Sequence, residues 1–527
     1  PNSLGPAELL HHYGTAEQKQ YYLPRLARGE EIPCFALTGI EIGSDAGAMP
    51  DQGKVCYGEH EGKEVLGIRL SWDKRYITLA PIATVLGLAF KLFAPDNLLG
   101  PTKELGITLC LIPTTHPGVT IGQRHSPLGL AFMNGPTQGK EVFIPLEWVV
   151  GGASKVGQGW RMLMECLSIG RSISLPALST GLHKTCYLGT SAYAQIRQQF
   201  KQSIGQFEGV AAALGRIAGF TYLTEATRLL TVTAIDLGVK PTIASAIAKY
   251  HLTEFARHSV NHAMDIHAGR GIQLGPRNYL GLAYQSLPVS ITVEGANILT
   301  RSLIIFGQGI IRCHPYLREE IDLLSQPDNS NNLSKFDHLL WQHIGLGVSN
   351  MIRMFCYGLS GAHFGKKSRP AALSGFARQL TRMSAALAFV SDLSLLLLGG
   401  ALKRKEFLSA RLGDVLSHLY LGSALLKYFQ DQGGTEEERL YASWGLQYCL
   451  AQIQIAFDDF FANFPRPILA RLLRWTVFPW GRSYSGPKDQ LTQQLANHCQ
   501  KTGLLRQRLG KYCHVGLQAE DPLGRME

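Results

Sequence analysis

The chain has 527 residues, of which 45% are hydrophobic and 17% are charged, and it carries a formal net charge of +11. This composition excludes a disordered or low-complexity chain and is sufficient for several hydrophobic cores at about 100 to 200 residues per domain. The ten cysteines are scattered singly, without a Cys-x-x-Cys pair or a His/Cys cluster, which favours reduced thiols over a disulfide framework and predicts no metal site.

The positive charge favours anionic partners, among them phosphorylated small molecules and acidic membrane surfaces. Nucleic acid is not expected as a partner, because no dense Lys/Arg tract is interleaved with aromatic residues. The chain begins at Pro1 without an initiator methionine or a secretory signal pattern, and we expect it to be an N-terminally truncated piece of a longer protein.

The residues change in character along the first 325 positions. Apolar residues at helical spacing predict that residues 1–32 are the tail of a helical domain. Residues 33–152 contain short apolar runs broken by Gly, Pro and Asn, which predict a small β-barrel or β-sandwich domain. Long helical periodicity then predicts a helical bundle over residues 153–325. This order indicates an α+β fold that is mostly α.

A second helical domain is predicted after a linker. Residues 326–332 are polar and turn-rich, and residues 333–527 return to helical periodicity. Within the latter, Leu387–Leu398 is strongly apolar but contains Asp392 and is shorter than the roughly 20 residues of a membrane span. We therefore expect a buried core helix there.

Residues 464–482 combine aromatic residues with four arginines, a pattern suited to a helix lying in a membrane interface. A helix that packs on its own domain is the alternative. On the membrane interpretation we expect a cytoplasmic protein with a peripheral contact at the inner membrane.

Glu294 is the single carboxylate in residues 291–301, a run that is otherwise apolar or neutral as far as Arg301, and it precedes Gly295. A carboxylate held away from water has its pKa raised above roughly 4.3, so it can take a proton from a weak carbon acid. A glutamate that is satisfied by hydrogen bonds at a helix start is the alternative.

Several segments resemble motifs of the acyl-coenzyme A dehydrogenase family and occur in that family's order. Residues 35–45 resemble its Thr-Glu-Pro-x-x-Gly-Ser-Asp signature, and residues 74–78 resemble its Lys-x-Trp/Tyr-Ile-Thr strand. The others are Arg171, residues 193–200, residues 268–271 and the tripeptide 293–295, which stands where the family has its catalytic Tyr-Glu-Gly. The resemblance covers residues 15–316, and the chain beyond about 330 is similar to the extra C-terminal domain of the long bacterial members.

The resemblance implies FAD as the cofactor. In the β-domain the implied flavin contacts are Leu37, Thr38, Tyr76, Ile77 and Thr78. The pair Arg197 and Phe200 matches residues that bind the flavin pyrophosphate of the neighbouring subunit, which implies a homodimer, and Gly269 and Gly271 would allow close approach of the adenosine part. For the acyl-CoA substrate, the implied contacts are Ser44, Arg171 and Gly295. Ordinary strand threonines and an ordinary surface arginine are the alternatives.

The implied reaction is the dehydrogenation of a fatty acyl-CoA to the trans-2-enoyl-CoA, the first step of fatty acid β-oxidation. Glu294 would take the α-proton while the β-hydrogen leaves as hydride to flavin N5. Some family members carry the base directly before the arginine that matches Arg171. Here that position is Gly170, so Glu294 is the matching carboxylate. The electrons would pass to a partner flavoprotein or a membrane acceptor.

Departures from the family pattern leave other functions open. Gly39 and Ile40 replace Glu-Pro in the first signature, and Ala296 replaces the threonine after Glu-Gly. None of these departures removes the base. The alternatives are a catalytically inactive scaffold, a membrane-surface binding protein and an acyl-CoA oxidase that reduces oxygen directly.

Overall fold

The structure is a computed structural model that describes residues 5–326, 330–363, 370–516 and 521–526. The chain divides into two compact units, Pro1–Ser174 and Leu175–Glu527. The predicted linker at 326–332 lies partly outside the described residues.

The first unit begins with two short helices, α1 (Gly5–Tyr13) and α2 (Ala16–Arg28). Thr15 starts α2 with a capping box, in which its side chain accepts from the Gln18 backbone N–H and the Gln18 side chain accepts from the Thr15 N–H. Gly29 ends the helix in the left-handed conformation, at φ 72°. These two signals set the ends of α2, and the two helices lie within the predicted helical tail, residues 1–32.

A seven-stranded sheet follows, in the order β1-β4-β2-β3-β7-β6, with β5 paired to β4. Strand β1 is parallel to β4, whereas β2–β3, β3–β7 and β4–β5 are antiparallel. Alternating burial along β3 places Ile68 and Leu70 in the core. The strands are β1 (Pro33–Ala36), β2 (Gln52–His60), β3 (Lys63–Thr78), β4 (Val85–Phe93), β5 (Glu104–Pro113), β6 (Thr120–Ile121) and β7 (Asn134–Pro145).

Helix α3 (Gly159–Ser172) also belongs to the first unit. Its Met162 and Leu163 share a hydrophobic cluster with Leu9 of α1 and Leu109 of β5. The division at residue 174 therefore lies one helix later than the predicted start of the bundle at residue 153.

Where the structure describes the second unit, its secondary structure is helical apart from a two-stranded hairpin, β8 (Gln198–Gln199) and β9 (Gln202–Ser203). A stretch of π-helix, Thr300–Gln308, continues α9 into α10. The helices are α4 (Ser174–Ile196), α5 (Glu208–Asp236), α6 (Thr242–His267), α7 (Gly269–Ile272), α8 (Gly281–Thr292), α9 (Asn297–Leu299), α10 (Gly309–Cys313), α11 (Leu317–Leu324), α12 (Ser330–Leu359), α13 (Ser374–Leu398), α14 (Ala401–Arg404), α15 (Glu406–Asp431), α16 (Glu436–Ala462), α17 (Pro467–Val477), α18 (Asp489–Cys499), α19 (Leu504–Gly510) and α20 (Pro522–Met526).

One hydrophobic core runs through both predicted helical domains of this unit. The ring of Phe220 in α5 packs edge-on against Trp444 in α16, with centroids 5.4 Å apart. The hydroxyls of Tyr187 in α4 and Tyr441 in α16 lie 3.1 Å apart. The segments predicted as separate domains, 153–325 and 333–527, thus share an interior from α4 onward. The fold class predicted from the sequence, mostly helical with a β-domain and an extra C-terminal helical domain, is confirmed.

The segment Ala371–Leu398 is long and apolar enough to cross a membrane by length and composition, and 44% of its most apolar window is buried. Leu387 and Val390 belong to the main hydrophobic cluster, and Ser394 is also buried. The helix also carries a buried arginine, Arg382, which is 3% exposed. These contacts agree with the predicted core helix at Leu387–Leu398.

Candidate active site

Glu294 lies in a sharp turn between α8 and α9, and its side chain is half-buried. Its backbone has φ 58°, and Gly295 follows with φ 90°. A positive φ is costly for a non-glycine residue and persists only where the surroundings enforce it. The segments before and after the turn, Gly281–Thr292 and Asn297–Cys313, are bent by 48° relative to each other. The predicted base is therefore held at a corner of the backbone rather than along a helix.

A buried lysine stabilises the Glu294 turn through hydrogen bonds to its backbone. Lys249 of α6 is 0% exposed, and its ammonium donates to the carbonyl oxygens of Ile291 at 3.2 Å and Gly295 at 2.7 Å. It also donates to the Asn297 side-chain oxygen at 2.7 Å. Because these acceptors lie on both sides of Glu294, the lysine ties the end of one helix to the start of the next.

Asn297 also stabilises the turn, because both its amide oxygen and its amide nitrogen form hydrogen bonds. Its Nδ2 donates to the Thr253 hydroxyl at 2.9 Å and to the Glu254 carboxylate at 2.8 Å. Asn297 is 2% exposed, so the loss of any of these bonds would leave a buried polar group without a partner. Sequence reasoning missed both Lys249 and Asn297. A lone lysine in the apolar run Ile247-Ala248-Lys249 was the available signal.

In the first unit, the structure brings together the two predicted flavin segments. Lys74 of β3 is 0% exposed and donates to the Leu37 carbonyl at 2.9 Å. The Arg75 backbone N–H donates to the Thr38 carbonyl at 3.0 Å. The loop after β1 therefore lies against the end of β3, and the two residue sets share one edge.

The three residues after Lys74 and Arg75 differ in exposure. Register shifts between Lys74 and Ile77 interrupt the pairing of β3 with β7. Tyr76, at φ 61°, is 59% exposed, whereas Ile77 is 2% exposed within the core of the sheet. Thr78 is half-buried opposite Asn134. Tyr76 can therefore offer a ring face to a ligand, while Ile77 can reach one only through its backbone.

Asp51 holds this edge together and was not singled out from the sequence. Its carboxylate lies 2.5 Å from the Lys74 ammonium, and it also accepts from the Asp73 backbone N–H at 3.0 Å. Burial lowers the pKa of Lys74, and the Asp51 charge counteracts that effect. Ser44, by contrast, is exposed on the loop that leads from the Leu37 segment.

Arg197 and Phe200 frame the small hairpin of the second unit. Phe200 and Lys201 form its two-residue loop with φ 51° and 63°, the signs of a type I′ turn. Phe200 is 90% exposed at the tip, and Arg197 is exposed at the base. An exposed arginine suits a diphosphate, because its planar guanidinium can make two parallel hydrogen bonds.

The glycine segment lies beside this hairpin. Tyr193, whose carbonyl accepts from the Arg197 N–H at 2.8 Å, stacks on His267 with centroids 4.2 Å apart. His267 ends α6 directly before Ala268, which has φ 49° and ψ −129°. Gly269 has open space around its α-carbon, and Gly271 faces the Met264 carbonyl. The residues that the family resemblance assigns to the FAD diphosphate and adenosine thus occupy one region of the second unit and fit an anionic cofactor.

Arg171 lies near the C-terminal end of α3 in the first unit, half-buried, and Gly170 precedes it. A glycine at that position leaves no carboxylate side chain to act as a base. The predicted site residues are accordingly distributed over both units: Leu37, Thr38, Ser44, Tyr76, Ile77, Thr78 and Arg171 in the first, and Arg197, Phe200, Gly269, Gly271, Glu294 and Gly295 in the second.

One group in the described residues has metal-ligand spacing: His314, His343 and Asp392. His314 Nδ1 accepts from the backbone N–H groups of Tyr316 at 3.2 Å and Leu317 at 3.0 Å. In the neutral ring, Nε2 must then carry the proton, and it lies 3.2 Å from Asp392 Oδ1. With that proton in place Nε2 is not free to bind a metal, so we describe the group as a half-buried polar cluster, which Glu320 extends at His343 Nδ1, 2.9 Å away.

Two protein-family descriptions match consecutive parts of the chain. "Acyl-CoA dehydrogenase, C-terminal domain" matches residues 157–306, and "Acyl-CoA dehydrogenase, C-terminal, bacterial type" matches residues 311–527. A solved acyl-CoA dehydrogenase from Bacillus anthracis, described as complexed with FAD, superposes with a TM-score of 0.74 at 19% identity, over 94% of this chain and 80% of that one. This likeness establishes the fold, including the C-terminal domain.

Curated relatives agree on the family. The chain is 32% identical to the 3-(aryl)acrylate reductase of Clostridium sporogenes over 51% of this chain and 67% of that protein. It is 29% identical to the probable acyl-CoA dehydrogenase FadE10 of Mycobacterium tuberculosis over 51% of this chain and 40% of that protein. A shorter stretch, 20% of this chain and 61% of the relative, is 55% identical to the protein HemX of Proteus mirabilis. The chain therefore belongs to the acyl-CoA dehydrogenase family of FAD-dependent enzymes and carries that family's bacterial-type C-terminal domain.

Proposed function

We propose that this protein oxidises a fatty acyl-CoA to the trans-2-enoyl-CoA at the first step of fatty acid β-oxidation. The observation that carries the proposal is the position of Glu294 on a strained turn. The buried side chains of Lys249 and Asn297 hold this turn in place through hydrogen bonds. Strain that the surroundings enforce is typical of functional positions. A carboxylate fixed in this way suits a base that must meet one carbon–hydrogen bond in one orientation.

The chain's own residues would carry the proton half of the reaction. Glu294 takes the α-proton of the thioester, and its half-buried position limits competition from water. Bound FAD supplies the acceptor for the β-hydrogen, which leaves as hydride to the flavin N5. The proton taken by the Glu294 carboxylate and the hydride that the cofactor would accept, which is one proton with two electrons, together account for the two hydrogens that the substrate loses.

The alternatives predicted from the sequence differ in what they would do with this site. An inactive scaffold would keep the fold but turn over no thioester, and an acyl-CoA oxidase would pass the electrons to oxygen. Some relatives are named as reductases, among them the acryloyl-CoA reductase of Anaerotignum propionicum, which is 29% identical. The proposal of fatty acyl-CoA oxidation is supported by the position of Glu294 and by the family, and the acceptor is proposed to be a partner flavoprotein or a membrane acceptor.

Glu294→Gln tests the role of the base. The amide keeps the size of the side chain but cannot take the proton, so turnover should fall by about 10² to 10⁴. The measurement is anaerobic bleaching of bound flavin by medium-chain and long-chain acyl-CoA. Glu319→Gln, at an exposed glutamate of the same unit, is the matched control for general damage. Near-normal reduction in Glu294→Gln would refute the assignment, and a protein that no thioester reduces would favour the scaffold.

We also propose that the protein forms a homodimer in which the β8–β9 hairpin contacts the neighbouring subunit. The support is the exposure of Phe200, 90%, on a turn whose backbone is strained for a phenylalanine. Phe200→Ser should weaken both subunit association and FAD retention, measured by sedimentation and by flavin absorbance. Phe407→Ser, at another exposed phenylalanine (83%), is the control and should change neither. Equal behaviour of the two variants would count against the proposed interface.

Peripheral contact at the inner membrane through residues 464–482 is a third proposal. In α17 the side chains of Ala470, Leu473 and Val477 are buried against the unit, as the packed-helix alternative predicts. Its other face exposes Ile468 by 79% and Trp475 by 54%. An apolar face flanked by arginines favours an anionic membrane surface. Ile468→Ser with Trp475→Ser should abolish sedimentation with anionic vesicles, and retention of that binding would contradict the proposal.

A further inference from the structure

An open pocket of about 490 Å³ lies in the second unit. The residues that line it fall between Gly361 and Lys488, so all of them follow the Glu294 turn in the sequence. Small-molecule sites usually measure about 300 to 1,000 Å³. Phe376 and Leu450 give it an apolar lining, and Gln447, Tyr484 and Ser485 add groups that form hydrogen bonds. The pocket thus combines an apolar surface with several convergent polar groups.

The charged side chains that line this pocket are all basic. Arg378 lies in α13, and Lys488 directly precedes α18. His363 also lines the pocket. Among the residues that the structure describes, neither Arg378 nor Lys488 has a carboxylate within ion-pair distance. Arg378 donates to the His363 carbonyl at 3.3 Å. Two cations that line one concave surface without a carboxylate partner favour an anionic ligand.

A third cation is buried directly behind the pocket wall. Arg382 lies one turn after Arg378 and is 3% exposed. Its guanidinium donates to the Val477 carbonyl at 2.7 Å and to the hydroxyl of the lining residue Tyr484 at 3.4 Å, while its Nε has no hydrogen-bond partner in the described structure. No carboxylate in the described chain pairs with it. A buried charge of this kind is costly without a counter-charge nearby, and an anion in the pocket would supply one.

We propose that this pocket binds a phosphate group that carries an apolar or neutral substituent. Arg378 and Lys488 would contact the phosphate oxygens, with Phe376 and Leu450 under the substituent. Phosphate fits better than a single carboxylate, because its double charge and several oxygens match two converging cations and the field of Arg382. A soluble phosphate ester and a phospholipid headgroup both present this chemistry.

The test uses the FAD-loaded full chain and glycerol 3-phosphate as the probe, at constant ionic strength. Calorimetry should show one site in the wild type, and Arg378→Gln with Lys488→Gln should weaken its binding by about tenfold or more, the equivalent of losing one charged hydrogen bond. Arg404→Gln with Lys501→Gln, two exposed basic residues elsewhere in the unit, is the matched control and should bind as the wild type does. Flavin content and thioester turnover should be unchanged in both double variants.

Vesicles distinguish the two sources of the phosphate. Loss of binding to phosphatidylglycerol vesicles in Arg378→Gln with Lys488→Gln would assign the pocket to a lipid headgroup. Unchanged vesicle binding alongside weakened binding of glycerol 3-phosphate would assign it to a soluble ester. Equal affinity of the wild type and this double variant for glycerol 3-phosphate, or no binding to either, would overturn the proposal whatever the fate of the dehydrogenase activity.

Discussion

Two buried lysines, one in each unit, hold the backbone beside predicted site residues, but they do so with different partners. Lys74 in the sheet pairs with the Asp51 carboxylate at 2.5 Å and donates to the Leu37 carbonyl. Lys249 in the helical unit donates to two carbonyls and to the Asn297 amide oxygen around the Glu294 turn. The ion pair of Lys74 joins β3 to the residue before β2. The carbonyl contacts of Lys249 fix a strained turn, so we expect its loss to affect catalysis more directly.

Breaking the ion pair should give the largest loss of stability. Asp51→Asn leaves the Lys74 ammonium buried without its counter-charge, and removal of one partner of a buried pair costs about 3 to 5 kcal/mol. Urea unfolding followed by circular dichroism measures the free energy. Asp431→Asn breaks the exposed Lys427–Asp431 pair and should cost no more than about 0.5 kcal/mol. Equal effects of the two changes would show that Lys74 does not depend on Asp51.

The two units should also differ in their response to acid. The described first unit has no buried histidine, whereas burial in the second lowers the pKa of His267 from 6.5 to about 4 and that of His183 to about 3. Between pH 4 and 6.5 the unfolded chain binds a proton that folded His267 does not, so stability is lost as pH falls through this window. The difference corresponds to about 3 kcal/mol for His267.

His267→Gln tests this acid response. The free energy of unfolding of this variant should depend less steeply on pH between 4 and 6.5 than that of the wild type. His338→Gln, at an exposed histidine of the same unit, should change the slope less than His267→Gln does. A steeper or equal slope in His267→Gln would mean that its folded pKa is close to the ordinary value.

Lys249→Met tests whether the buried lysine of the second unit positions Glu294 for catalysis. Loss of the three donated hydrogen bonds should let the Glu294 carboxylate move, and a misplacement of about 1 Å costs on the order of 10²-fold in rate. We expect kcat to fall by about tenfold to 10²-fold with KM and bound FAD little changed. Lys405→Met, at an exposed lysine, is the control.

Double substitution separates positioning from a general loss of structure. If Lys249 acts through Glu294, then Lys249→Met should cost little further rate in a Glu294→Gln background, because the two residues share one function. Multiplicative losses in the double variant would assign Lys249 a separate structural role.

The sequence predicted the β-domain and Glu294, but it did not predict the side chains that support the Glu294 turn. The β-domain was readable from short apolar runs, since period-two burial such as that of Ile68 and Leu70 leaves a local pattern. Glu294 was predicted because residues 293–295 resemble the family's Tyr-Glu-Gly and because it is the single carboxylate in residues 291–301. Its supports were not predicted, because Lys249 bonds to residues 42 to 48 positions later and no local pattern encodes such a distance. The loop Phe200-Lys201 carries no Gly or Asn, so its I′ turn had no sequence signal.

Ala268 offers the smallest effect and the most local test. The alanine has φ 49° and ψ −129°, a conformation that strongly favours glycine, directly between His267 and the two glycines of the predicted adenosine segment. Relief of such strain contributes about 1 to 3 kcal/mol, and the added flexibility of glycine in the unfolded chain offsets about 0.5 to 1 kcal/mol of it. Ala268→Gly should therefore raise the free energy of unfolding by about 1 kcal/mol, measured by urea unfolding.

The control is Ala263→Gly in α6, which should lower the free energy of unfolding by a similar amount, since glycine is unfavourable in a helix interior. A loss of stability in Ala268→Gly would mean that the turn is held without strain, and that the alanine methyl group makes contacts worth more than the backbone cost.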